Sequence, residues 1–156
     1  MNTKGQTPEA RLAELGIELP VAPKPVAAYV PAVRTGNLLF VAGQLPGKDG
    51  KLLATGKVGV LDIDGAAAAA RQCAVNLLAV VKAELGELSR VRRVVKLGVF
   101  VACEDDFVDQ PKVANGASEL MVAVFGEAGK HARAAVGTNA LPMGASVEID
   151  AIFEVD

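Results

Sequence analysis

The chain has 156 residues, 16 Lys and Arg against 18 Asp and Glu, and a formal net charge of −2. That length suits one domain with a substantial core, and that charge gives no electrostatic basis for gripping nucleic acid. Hydrophobic residues make up 51% of the chain, high for a soluble monomer of this size, which points to a surface hidden in an oligomer. No apolar run is long enough to suggest a bilayer span, and the N-terminus lacks a signal-peptide pattern. Arg90-Val91-Arg92-Arg93 is the only basic cluster, and without aromatics around it it reads as a solvated strand start. Cys73 and Cys103 fall in different predicted elements and read as free thiols in a reducing cytoplasm. A single histidine and no cysteine pair argue against a metal site, and no cofactor is expected.

Residues 1–6 read as loose. Thr7-Pro8-Glu9 is a helix start, with a capping hydroxyl, proline at the first helical position and an acid in the first turn. Leu12, Leu15 and Ile17 give this helix an apolar side, and Gly16 ends it. Residues 19–25 hold three prolines and act as an extended spacer. Residues 1–25 are thus an N-terminal segment ahead of one domain over 26–156.

Val26 to Val33 and Asn37 to Leu45 are two β-runs joined by a hairpin signal at Arg34-Thr35-Gly36-Asn37. The second is nearly continuous apolar residues, so it is expected to be central and covered on both faces. It ends in Gly43-Gln44-Leu45-Pro46, where the glycine reads either as a bulge or as a place for close backbone approach by a ligand. Tyr29 lies in the first run and is the only tyrosine; such a residue is commonly a packing group with a wet hydroxyl. Gly47-Lys48-Asp49-Gly50 and Thr55-Gly56-Lys57 frame a short ribbon.

Asp64 to Leu85 is the clearest helix: Ala70, Ala74, Leu77, Leu78, Val81 and Leu85 repeat at helical spacing, with Arg71, Gln72, Asn76 and Lys82 away from them. Asp62 or Asp64 caps it and Gly86 closes it. Val91 to Ala102 follows as a strand, with Val95, Leu97, Val99 and Val101 on one face and Val94, Lys96 and Phe100 on the other. Asp105, Asp106 and Asp109 precede a second helix through Val113, Ala117, Leu120, Met121 and Val124. They read as caps and dipole partners, since no metal-loop spacing follows.

Two last runs remain, His131 to Gly137 and Val147 to Phe153, separated by the turn Leu141-Pro142-Met143-Gly144. If they pair about that turn, Arg133 and Glu148 share a sheet face, and a one-residue slip separates them. Such a pair could hold and turn over a small anion, or be an ordinary strand ion pair. In the last run Val147, Ile149, Ala151 and Phe153 are expected to face the helices. Glu148, Asp150, Ile152 and Glu154 are expected to face solvent or another subunit. The sum is an α+β layer, a mostly antiparallel mixed sheet with two long helices on one face. Its open face is expected to meet other copies in a closed ring, with polar residues such as Arg133 and Glu148 in the clefts between subunits. His131 reads as an exposed loop histidine.

Three stretches carry a family resemblance. Tyr29-Val30…Val33…Gly36 through Pro46, Val94 to Val101 followed by Asp106-Phe107, and Ala132-Arg133-Ala134-Ala135-Val136…Leu141-Pro142…Val147-Glu148-Ile149 together resemble the Rid (YjgF) family. The resemblance implies a chorismate-mutase-like fold and a homotrimer with ligand sites between subunits. It implies hydrolytic deamination of reactive enamines and imines, such as 2-aminoacrylate, to 2-oxo acids and ammonia. Arg133 falls on the family's carboxylate-binding arginine, which suits a planar fork of donors. Glu148 falls on the acid that positions or activates water, Tyr29 on a pocket tyrosine, and Gly43 on a pocket-lining backbone position. Ala135 stands where active members often carry cysteine, which leaves its backbone carbonyl a substrate-binding role. His131 stands where proline is common, and the N-terminal 25 residues are extra. The alternatives are a non-catalytic binder of small carboxylates, and a ribonuclease or translation inhibitor, a label some relatives carry, against which the acidic balance argues.

Overall fold

The computed structural model describes residues 5–24 and 27–156. Residues 1–4, expected to be loose, residue 25, the end of the expected spacer, and residue 26, the start of the first expected strand, lie outside the described residues. Helix α1 (Pro8–Glu14) forms as its sequence dictates: Thr7 Oγ1 accepts from the Ala10 N–H at 3.1 Å and Pro8 opens the first turn. Leu12 is buried in the core. Arg11 Nη1 donates to Val124 O at 3.1 Å, and Glu9 Oε1 accepts from the Leu88 N–H at 2.6 Å, which ties this helix to the main layer.

The main sheet has five strands, β1 (Ala32–Thr35), β2 (Leu38–Gln44), β5 (Val91–Ala102), β6 (Ala132–Thr138) and β7 (Val147–Val155), in the order β1-β2-β7-β5-β6. A separate ribbon, β3 (Gly47–Lys48) and β4 (Lys51–Leu52), turns at Asp49-Gly50, both at positive φ. Helices α2 (Ile63–Leu85) and α3 (Gln110–Phe125) lie on one face of the sheet, which makes the fold α+β as expected. In β7 Val147, Ile149, Ala151 and Phe153 are buried, while Glu148, Asp150, Ile152 and Glu154 face the other way.

Four expectations need correction. First, β1 begins at Ala32, and residues 27–31, expected as strand, are not strand, because Pro31 cannot donate to a strand partner; Tyr29 therefore lies in a non-regular segment ahead of the strand. Second, β2 is covered on one face only: Leu39 and Val41 are buried while Phe40 looks out from the open side. Third, β5 carries a register irregularity between Val94 and Lys96, opposite consecutive β7 residues Phe153 and Ile152. That bulge turns Val94, not Val95, into the core. Fourth, Asp109 takes the position before α3 but makes no side-chain cap; its carbonyl accepts from Lys112 and Val113, and its carboxylate pairs with Lys112 Nζ at 3.4 Å.

The largest correction concerns the last two strands. They do not pair: β5 lies between them, parallel to β6 and antiparallel to β7. The connection β5-α3-β6 is a crossover unit, which returns the chain parallel to β5. Its last strand is built mostly of small residues around Arg133 and Val136 and forms the sheet's edge. Cross-strand partners share a face. Arg133 is opposite Leu97, which faces the helices, whereas Glu148 is opposite Phe100 on the open side. Arg133 and Glu148 thus lie on opposite faces of one chain's sheet.

Helix α2 has the length and hydropathy of a membrane span, yet Ala69, Ala70, Cys73, Ala74, Leu77, Leu78 and Val81 are wholly buried in the fold. It crosses α3 at backbone contact: a Cβ on Gly116 would lie 2.0 Å from Ala67 O and 2.7 Å from its carbon. Gly116→Ala is therefore expected to destabilise, although alanine is the better helix former by about 1 kcal/mol. Forcing the helices apart costs about 3 kcal/mol, so the net loss of about 2 kcal/mol lowers Tm by about 6 °C. Calorimetry of the variant checks it, and an unchanged or raised Tm contradicts the close crossing.

Candidate active site

Glu148 is placed by β7, where strand alternation turns it to the open face next to β2. Beside it β2 is irregular: Val41 pairs with Ala151 but Gln44 pairs with Ile149, so three steps on β2 match two on β7. The bulge takes in Ala42 and Gly43, and the Glu148 carboxylate lies on the bare backbone of Gly43. A Cβ there would approach Oε1 to 2.3 Å. Gly43 is therefore a bulge, one of the two readings its sequence context offered, and its missing side chain leaves room for the Glu148 carboxylate.

One groove of about 1310 Å³ gathers Tyr29, Gly43, Glu148 and Met143 with Arg71 and Gln72 of α2. Its wall on one side is the N-terminal stretch Gly16 to Val21, and on the other the β3–β4 ribbon. Asn76 fixes that wall: its Nδ2 donates to Leu45 O at 3.0 Å and Gly47 O at 2.9 Å, while Gln72 Nε2 donates to Asn76 Oδ1 at 3.1 Å. Burial pushes the Glu148 carboxyl above its ordinary pKa, and the nearby Asp150 charge pushes it further. Asp150 rests its Oδ1 against Gly98 although the residue as a whole is exposed. Burial of its carboxyl end raises its pKa as well, offset in part by Lys96 and the Gly98 N–H. Cys73 lies buried beneath, its thiol pushed up by burial and by the Glu148 charge, so it is no nucleophile.

Arg133 and Ala135 are elsewhere. Arg133 is exposed on the edge strand, where Nη1 donates to Asn115 Oδ1 at 2.9 Å and Ser118 Oγ at 3.1 Å on α3. Ala135 shares that face of β6 and packs half-buried against the core. Glu148 is two strands away from β6, about 10 Å in lateral spacing alone, and on the other face. A single chain therefore offers two half-sites: a carboxylate groove and an arginine edge.

The chain as a whole matches known proteins. A family model described as "YjgF/chorismate_mutase-like, putative endoribonuclease" covers residues 9–154. The chain belongs to the YjgF family. It is similar to Protein TCP17 of Trypanosoma cruzi, at 49% identity over 94% of this chain and 93% of that protein. It is similar to the crystal structure of Atu1372 from Agrobacterium tumefaciens, a protein of unknown function, at 57% identity and a TM-score of 0.90, covering 96% of this chain and 92% of the other. At 31% identity, over 90% of this chain and 95% of the relative, it is similar to a 2-iminobutanoate/2-iminopropanoate deaminase of Dermatophagoides farinae.

Within this YjgF-family chain the structure brings together Tyr29, Gly43 and Glu148 among the expected site residues, and leaves Arg133 and Ala135 apart from them. Sequence reasoning missed Arg71 and Met143 at the groove and Asn115, Ser118 and His131 around the arginine. The Gln72–Asn76 spacing of four on a helix was a usable signal. His131 is half-buried and bonded, not an exposed loop residue.

Proposed function

We propose that this protein hydrolyses reactive enamines and imines of the 2-aminoacrylate kind to 2-oxo acids and ammonia. The observation that carries this reading is Glu148: a half-buried carboxylate on the bare Gly43 backbone, in an open groove, with no cation within 4 Å among the described residues. The name of the Dermatophagoides farinae relative, a 2-iminobutanoate/2-iminopropanoate deaminase, agrees with it.

The carbon of a protonated imine is already electrophilic, so catalysis needs a placed water and a proton acceptor. Water adds to that carbon as Glu148 takes one of its protons. The proton passes to nitrogen of the resulting carbinolamine, and the C–N bond breaks as the hydroxyl oxygen closes to the carbonyl and gives its hydrogen, through Glu148, to the departing ammonia. The iminium and one water become the 2-oxo acid and ammonium, with no other reactant. Tyr29, at the same groove, offers a hydroxyl to the water or the carboxylate. Arg133 holds the substrate carboxylate through two parallel bonds.

Since Arg133 and Glu148 lie on opposite faces of one sheet, the reading requires a second copy to supply the arginine. The open sheet face favours association: Phe40, Phe100 and Val136 are 41%, 37% and 45% exposed there. We take the assembly to be the homotrimer the family resemblance implies, working in the cytoplasm, where the two buried free thiols stay reduced. The direct test mixes the protein with freshly generated 2-aminoacrylate and follows 2-oxo acid release. Acceleration over buffer supports the reading. Stabilisation by 2-oxo acids without acceleration selects the non-catalytic carboxylate binder. Cleavage of RNA by nuclease-free material, lost in Glu148→Ala, selects the ribonuclease.

A further inference from the structure

The two hydrogens of Arg133 Nη1 are both engaged, by Asn115 Oδ1 at 2.9 Å and Ser118 Oγ at 3.1 Å. Both partners are neutral, and among the described residues no carboxylate lies within 4 Å of the guanidinium. An arginine held by neutral acceptors keeps its full charge, and the Nε and Nη2 hydrogens have no partner among the described residues. Those hydrogens form the side-on edge that accepts a carboxylate by two parallel bonds.

The Ser118 hydroxyl is itself fixed. It has one hydrogen, and it lies 2.8 Å from His131 Nε2. The other ring nitrogen, Nδ1, lies 2.6 Å from the Gly129 carbonyl oxygen, which can only accept. Nδ1 therefore carries the hydrogen, and in the neutral ring Nε2 is a bare acceptor. Ser118 donates to it and turns its lone pair to Arg133. One direction runs through the set: Arg133 Nη1–H to Ser118 Oγ–H to His131 Nε2, and Nδ1–H to Gly129 O. The backbone anchor comes from the turn after α3, so the arginine's orientation is set by the docking of helix, turn and strand.

We propose that Asn115, Ser118 and His131 are positioning residues that clamp the Arg133 guanidinium by its Nη1 corner and present its Nε/Nη2 edge to a ligand carboxylate. The role rests on the proposed carboxylate chemistry for its purpose, but the clamp itself is testable without ligand or turnover. In the free wild-type protein the Arg133 side chain gives slowed rotation about the Nε–Cζ bond, seen as separate Nη resonances in 15N-edited spectra. Ser118→Ala and His131→Leu collapse that signature, while His131→Gln, whose amide oxygen can accept from Ser118, keeps it. With 2-oxobutanoate as the probe, Ser118→Ala and His131→Leu each weaken binding about tenfold, the size of one lost bond to a charged group. In turnover KM rises by about that factor while kcat stays within about twofold, as expected when binding common to ground and transition states is removed. The double variant is no worse than either single one, because the two residues act in series.

Free rotation of Arg133 in the wild-type protein, or an unchanged signature in both Ser118→Ala and His131→Leu, overturns the clamp. A signature that behaves as expected in a protein that neither binds 2-oxobutanoate nor consumes imines leaves the clamp standing and removes the proposed function.

Discussion

Arg133→Ala is expected to lower kcat/KM for a 2-iminocarboxylate about 300-fold, through loss of two charge-assisted bonds worth together about 3–4 kcal/mol. Arg133→Lys keeps the charge but not the fork, and recovers little of the loss. Full activity in Arg133→Ala sinks the deaminase reading. The two half-sites make a sharper experiment possible. If one copy supplies Arg133 and its neighbour supplies the Glu148 groove, two inactive variants can complement. Co-refolding equal amounts of Arg133→Ala and Glu148→Gln chains gives mixed rings in which about a quarter of the head-to-tail interfaces carry both intact groups. Activity returns to about that fraction of wild type, although neither variant alone is active. A site built within one chain gives no recovery at all. Sedimentation at about three times the 16.0 kDa chain mass accompanies the result.

The reason this arrangement was only half legible in the sequence lies in the difference between local and long-range order. The alternation Val147 to Phe153 read correctly because a strand buried on one face alone must repeat every two residues, and nothing in that stretch interrupts the period. The helix from Ile63 to Leu85 read correctly for the same reason, at a period of 3.6. Pairing is another matter. Leu141-Pro142-Met143-Gly144 has the look of a hairpin turn and does reverse the chain, with Met143 at φ 59° and Gly144 at φ 72°. But the strand it leads from is already paired to β5 by the crossover through α3, so the reversed chain passes to the far side of β5. Local turn chemistry reports direction and not neighbour. The bulge on β2 was legible as one reading of Gly43, but the bulge on β5 was hidden: it shifts register by one step, and a one-step shift is what decides whether Val94 or Val95 enters the core. Ser118 and His131 are thirteen positions apart with a helix end and a turn between them, so only the docked fold brings them to 2.8 Å.

The second large effect belongs to Glu148. Glu148→Gln keeps the shape over Gly43 and removes the proton acceptor, and kcat is expected to fall about a thousandfold. The pH profile identifies the group. Burial and the Asp150 charge hold the Glu148 pKa above its ordinary 4.5. A base must be ionised to act, so the acid limb of kcat/KM is expected above that ordinary value. Asp150→Asn removes a neighbouring negative charge, which favours ionised Glu148, and so moves that limb to lower pH. A limb unmoved by Asp150→Asn assigns the titration to another group. Stability carries the same sign. A carboxyl whose pKa is raised by folding contributes its stability below the unfolded value, near 4.5, and loses it as pH rises through the folded value. At neutral pH the ionised Glu148 thus opposes folding, and Glu148→Gln is expected to melt higher than wild type at pH 7, with the difference vanishing below about pH 4. Lower activity joined to higher stability at one position is what a group retained for chemistry produces. A Glu148→Gln variant that melts no higher at pH 7 than wild type would show the carboxylate to be already compensated in the assembled protein, by a cation reaching it from the neighbouring copy.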